Sequence, residues 1–223
     1  SSKKRVILAG ANEEVFNPSD FTPWDGSGKL KIVTHHWGAN WNKGFDIYKK
    51  LDELLSSEQW NKKIEFTYIG NIPKNFEFRN SNKIDPLSGH ELANKIKESH
   101  LYITASLNEP SGNHHIEAAQ CSLPIMYVNS GGIPEYCEGY GIMFNNENLE
   151  EKLQYVIKNY SDYQQKMSHY PFKAIAMSNE YLKEFNRLKE IEIEITENRN
   201  LKDLETTSEV LYKLKRNFKK IFS

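Results

Sequence analysis

The chain has 223 residues, 29 Lys and Arg against 30 Asp and Glu, 38% hydrophobic and 12% aromatic residues, the balance of a soluble globular protein. Its longest apolar runs, such as Leu123 to Val128, are far shorter than the roughly 18–20 residues a spanning helix needs, and no signal-peptide core opens the chain, so secretion is unsupported. A net charge of −1 argues against a general nucleic-acid binder, which needs a basic excess spread over one face.

The length suits one large domain or one and a half. Strand-length apolar segments alternate with segments of helical period, which predicts an α/β domain with a parallel sheet. Leu30 to His35 reads as a strand, His36 to Gly44 as a loop, and Phe45, Tyr48, Leu51 and Leu55 as the buried stripe of a helix. Ile64 to Ile69 is a second strand, and Phe76 to Arg79 a short candidate third. Glu91 to Ser99 reads as a helix, with Ser88 and Glu91 spaced as a capping box. Leu101 to Ser106 is the next strand, followed by the loop Leu107 to Gly112, a helix from Asn113 to Cys121, a strand Ile125 to Val128 and a Gly131-Gly132 turn. Gly141 to Phe144 is a last strand, Asn148 to Tyr160 a helix, and Pro171 a break before a helix at Ala174 to Leu188. Glu190 to Ile195 alternates acid and isoleucine, leaving helix and strand both open, and Val210 to Phe222 fits a basic amphipathic helix.

Several tempting motifs fail. Gly26-Ser27-Gly28-Lys29 has Pro23 where a phosphate loop needs glycine and Leu30 where it needs Ser or Thr, so it reads as a turn. No GxGxxG follows a strand, which removes the main support for a dehydrogenase. The doublets His35-His36 and His114-His115 point apart on a strand or helix and lack a third ligand at metal spacing, so no metal is expected. Cys121 and Cys137 carry no CxxC and read as reduced.

The informative stretch runs from Glu109-Pro110-Ser111-Gly112-Asn113 to Glu117, continuing through Gly131 and Gly132. Glu109 sits at a strand's C-terminal end, where open α/β sheets bind ligands, and the next helix offers free N–H groups and its positive dipole end to the same crevice. A diphosphate suits that place, carboxylates suit a vicinal diol, and a Gly-Gly turn lets backbone amides approach a ligand. On isolated spacing, Glu117 and Lys43 are equally well solvated surface charges.

Taken together these residues resemble the Glu-x7-Glu signature of retaining GT-B glycosyltransferases, the glycosyl transferases group 1, over about three quarters of the chain. Val6 to Gly10 through Phe16-Asn17-Pro18 looks like that family's interdomain strand and loop, and Lys31 to His36 through Lys43-Gly44-Phe45 like its first donor-domain strand and helix start. The resemblance implies a Rossmann-like parallel sheet with helices on both faces, one half of a GT-B fold, plus C-terminal helices. The implied divisions are 1–28 as an interdomain segment, 29–172 as the nucleotide-sugar domain, and 173–223 as a crossing helix and basic tail. The crossing helix is expected to leave Tyr181, Leu182 and Phe185 partly exposed.

The resemblance further implies that Glu109 contacts donor-sugar hydroxyls and Lys43 neutralises the leaving diphosphate, both in catalytic roles. Glu117 would take the ribose, and Ser111, Gly112, Asn113, Gly131 and Gly132 would line the donor. No arginine stands in the loop Trp37 to Asn42 just before Lys43, where many members have one, leaving Asn40 or His36 as alternative donors. No metal or other cofactor is implied. The expected function is donor binding for transfer of a hexose-type sugar to a glycan or lipid-linked acceptor, together with an N-terminal acceptor domain or a partner chain and without nucleic acid. The alternatives are a non-catalytic nucleotide-sugar-binding subunit and a GT-B-like sugar-nucleotide epimerase. The expected location is cytoplasmic. The basic tail, Lys213, Lys215, Arg216, Lys219 and Lys220, reads either as a solvated face or as a contact with the membrane surface.

Overall fold

The computed structural model describes residues 5–191. The chain divides into two units, with the boundary between Ser178 and Asn179. The first holds six parallel strands: β1 (Leu30–His36), β2 (Ile64–Gly70), β3 (Asn82–Ile84), β4 (Leu101–Thr104), β5 (Ile125–Val128) and β6 (Gly141–Phe144). Their order, β3-β2-β1-β4-β5-β6, is Rossmann-like and reverses direction between β1 and β4, where such sheets open a crevice at their C-terminal edge.

The helices are α1 (Phe45–Leu54), α2 (Glu58–Asn61), α3 (Gly89–Lys97), α4 (Asn113–Gln120), α5 (Ile133–Cys137), α6 (Leu149–Lys158), α7 (Tyr160–Met167) and α8 (Ala174–Glu190). Alternate strand residues face opposite cores. Leu30 and Ile32 pack with Phe45, Tyr48 and Leu51 of α1 and Leu153 of α6, whereas Val33 and Tyr102 pack with Ala93 of α3, Ile116 of α4 and Tyr136 of α5. Burial on both faces explains why these strands are continuous apolar runs. Cys121 and Cys137 are free thiols buried in the second core.

Four local expectations are corrected. Residues 76–79 are not a strand: Phe76 and Phe78 turn toward the first core, and the Asp52 carboxylate accepts from Arg79 N, Asn80 N and Ser81 Oγ at 3.0, 2.9 and 2.6 Å. Those donors serve a side chain instead of a ladder, and the third strand begins at Asn82. Residues 6–10 form no strand either, since Val6 is 78% exposed and the neighbouring backbone makes only the isolated bridge from Ala11 to Lys173. Ser88 caps α3 without a side-chain bond, because Gly89 takes a left-handed φ of +54° and breaks the capping-box geometry. The helix expected over Asn148–Tyr160 ends at Lys158, and α7 begins afresh beyond Asn159.

Helix α8 starts in the first unit, and its second-unit part carries exposed Tyr181, Leu182, Phe185 and Leu188. The alternating segment beyond Ile191 and the basic tail lie outside the described residues.

Candidate functional site

The site grows from the ends of β1 and β4. After β1 the chain passes Trp37 and Gly38 into a single 3-10 turn, Trp41–Lys43, and starts α1 at Gly44. Gly44 has φ +97°, and a Cβ there would sit 2.4 Å from Ala105 Cβ, so only glycine lets the start of α1 cross the end of β4. The Leu107 N–H donates to Asn42 O at 2.7 Å, tying the β4 loop to the lysine turn. Across that tie Lys43 Nζ meets Glu109 Oε2 at 2.6 Å.

The Glu109 loop is held from the other side by the glycine turn. Asn108 adopts φ +55° and its N–H donates to Ser130 Oγ at 2.8 Å, while the Gly132 N–H donates to Glu109 O at 2.8 Å. A Cβ on Gly131 would lie 2.2 Å from Glu109 O, and one on Gly132 2.3 Å from Pro110 O. The loop then enters α4 through Gly112, whose N-terminal turn has no side-chain cap and no acidic residue, leaving backbone donors for an anion. Ser111 Oγ lies 3.1 Å from the Tyr136 hydroxyl of α5.

Lys43, Glu109, Ser111, Gly112, Asn113 and Glu117 line one cavity of about 410 Å³. Asn40, Gly131 and Gly132 do not line it. Asn40 caps the 3-10 turn through its carbonyl, which accepts Lys43 N–H at 3.0 Å. The two glycines shape the Glu109 loop, and the Gly132 amide is engaged by Glu109 instead of facing a ligand. Volume alone does not select the site. A larger groove of about 1010 Å³ runs beside α1 from Trp41 to Asn80, but its Asp52 carboxylate is fully occupied in holding the 79–81 loop.

Sequence reasoning assigned a role to only one of the four histidines, His36 as an alternative donor, yet His35, His36 and His114 all line the cavity beside Trp37. His35 and His36 do diverge: His35 Nε2 pairs with Glu117 Oε2 at 2.9 Å, whereas His36 Nε2 lies 2.8 Å from the Tyr48 hydroxyl. His114, from α4, bonds Thr104 Oγ1 at 2.8 Å and stacks edge-on at 4.7 Å from the His36 ring. Burial, reinforced by positive neighbours including Lys43, holds both His36 and His114 well below the usual imidazole range, so both are neutral. His36 is therefore not a second cation for a diphosphate. Burial pushes His115 down to about 3, and neither of its ring nitrogens has a hydrogen-bond partner. Among the described residues no three His, Cys, Asp or Glu side chains are grouped to hold a metal ion. The only signal that could have flagged these histidines was their position, one doublet closing a strand and the other opening a helix at the same sheet edge.

The class these observations define is a Rossmann-like α/β domain with an uncapped helix start, a lysine and two carboxylates at its switch point. Residues 79–173 match the model of the family described as Glycosyl transferases group 1. The fold is that of a GT-B glycosyltransferase half. A glycosyltransferase from Rickettsia africae ESF-5 superposes with a TM-score of 0.66 at 19% identity, covering 82% of this chain and 57% of that one. Anabaena Alr3699/HepE in complex with UDP-glucose gives 0.62 at 15% identity, covering 82% and 57%. Among curated relatives, the phosphatidylinositol N-acetylglucosaminyltransferase gpi3 subunit of Schizosaccharomyces pombe is 24% identical over 136 residues, 55% of this chain and 29% of that protein. The Saccharomyces cerevisiae (strain RM11-1a) GPI3 subunit is 28% identical over 139 residues, 52% and 29%. The chain thus matches under a third of the length of these curated relatives.

Proposed function

We propose that this chain is the nucleotide-sugar donor-binding half of a retaining glycosyltransferase that moves a hexose-type sugar onto a glycan or lipid-linked acceptor. The observation that carries the reading is the convergence of Lys43, Glu109, Glu117 and the uncapped start of α4 on one cavity at the sheet's switch point. The helix amides and Lys43 take the diphosphate, Glu109 accepts hydroxyls of the sugar, and Glu117 accepts those of the ribose. An arriving diphosphate competes with Glu109 for the Lys43 ammonium. As the sugar–oxygen bond breaks, charge grows on the diphosphate and Lys43 stabilises it there without a metal. Retention follows from same-face attack: the acceptor oxygen bonds the anomeric carbon as the diphosphate oxygen leaves, and that oxygen takes the acceptor's proton.

The names of the curated relatives make N-acetylglucosamine and an inositol phospholipid the first donor sugar and acceptor to try. None of the described helices is long and apolar enough to cross a membrane, and a place at the cytoplasmic membrane surface is part of the proposal. Titration calorimetry against UDP-, GDP- and ADP-sugars, with and without EDTA, tests the reading. One nucleotide series is expected to bind, unaffected by EDTA. Failure of every series at millimolar concentration sinks the proposal. The word "subunit" in the relatives' names favours one second reading, a donor-binding chain that is inactive without a partner chain supplying the acceptor site. Transfer by this chain alone would exclude that reading.

A further inference from the structure

Glu117 is held from behind by a relay that the proposed chemistry does not use. His35, next to last in β1, places Nε2 2.9 Å from Glu117 Oε2, and its Nδ1 lies 3.2 Å from the Tyr102 hydroxyl. Tyr102 stands on the adjacent strand β4, and its oxygen also accepts the His35 backbone N–H at 3.1 Å. Both residues are buried, whereas the Glu117 side chain is 20% exposed where it lines the cavity.

The chemistry of the groups fixes the direction of the bond to Glu117. A carboxylate only accepts, so the His35 Nε2 that faces it carries a hydrogen and donates. Burial holds the Tyr102 hydroxyl well above its ordinary range, so it stays protonated, with its oxygen 3.2 Å from His35 Nδ1 and 3.4 Å from His35 O. Among the described residues no other side chain hydrogen-bonds the Glu117 carboxylate. A three-torsion side chain on α4 is thus anchored at one oxygen by a ring fixed in the two central strands, the arrangement that pre-organises a binding group.

We infer that His35 is the positioning residue for Glu117, holding that carboxylate to accept the hydroxyls of a ribose, with Tyr102 orienting the His35 ring. The inference rests on the proposed donor site, in which Glu117 faces the ribose.

Calorimetric titration of the full chain with UDP, GDP and ADP, each beside its 2′-deoxy counterpart, tests it. The parent is expected to prefer the ribonucleotide by roughly tenfold, the worth of one charge-assisted hydrogen bond. His35→Phe keeps a flat ring without nitrogens and is expected to shrink that preference to about twofold while the deoxynucleotide binds as before. His35→Gln, whose amide reaches the place of Nε2, is expected to restore most of it, and Tyr102→Phe to fall between. A residue with a merely structural role would weaken both nucleotides alike and leave their ratio unchanged. If His35→Phe does not fold, His35→Asn replaces it, because its shorter amide stops short of Glu117. A full ratio in the His35 variant with none in Glu117→Gln overturns the role of His35 and leaves the donor site standing. No nucleotide binding by the parent, or a full ratio in Glu117→Gln, overturns both.

Discussion

Lys43 and Glu109 neutralise each other across the cavity at 2.6 Å, with side chains only 25% and 17% exposed. This partial burial makes the pair stronger than a surface ion pair and also makes each partner costly to leave alone. If Lys43 faces the diphosphate, Lys43→Ala should lower affinity for a nucleoside diphosphate by roughly tenfold or more. Affinity for the corresponding monosaccharide-free monophosphate should change less, since the charge nearest the sugar is gone from that ligand. Calorimetry with the two nucleotides separates the cases, and an equal loss for both would assign Lys43 to loop structure instead. His36 offers no substitute for the lysine, because burial keeps it neutral and Tyr48 holds its Nε2.

At the level of elements, the glycine turn after β5 is what aims the Glu109 loop. Gly131 has φ +59° and a backbone oxygen of Glu109 where its Cβ would go, whereas Gly139 has φ +84° with open space around it. Gly131→Ala should therefore cost several kcal/mol by denaturant unfolding and weaken donor binding, while Gly139→Ala should cost only the left-handed strain of about 1–2 kcal/mol. Equal losses would mean that the close approach to Glu109 is relieved by movement elsewhere. The sheet was legible because buried parallel strands are apolar runs: the expected strand Ile125 to Val128 and the strand Gly141 to Phe144 coincide with β5 and β6. The loop from Glu109 to Glu117 was legible because its residues are contiguous. The link from His35 to Glu117 was not, since it joins positions 82 apart and a histidine doublet does not say which ring turns to which face. Residues 76–79 misled for a similar reason: aromatic alternation has a strand's period, and nothing local announces that Asp52 will claim the following donors. Helix α5 escaped notice because five residues behind a Gly-Gly turn give too short a pattern to show a period.

At the scale of the whole first unit, His36, His114 and His115 are packed in the interior as neutral rings. That packing ties global stability to pH. Each of these histidines protonates near pH 6.5 when unfolded but far lower when folded, so below pH 6.5 the unfolded chain binds more protons. Stability should consequently be full above about pH 7 and fall as the pH drops below 6.5, by up to about 1.4 kcal/mol per pH unit for each histidine until its folded value is reached. For His115 the window extends from 6.5 down to about 3. Its ring gains nothing from hydrogen bonding, since both nitrogens lack partners, so a shape-matched apolar replacement sacrifices no bond and removes the proton uptake. His115→Phe should accordingly keep most of the stability measured at pH 7.5 and flatten the decline between pH 6.5 and 4.5. Urea unfolding at a series of pH values measures that slope, and a variant as acid-sensitive as the parent would place the proton uptake at His36 and His114, whose rings pack beside the cavity itself.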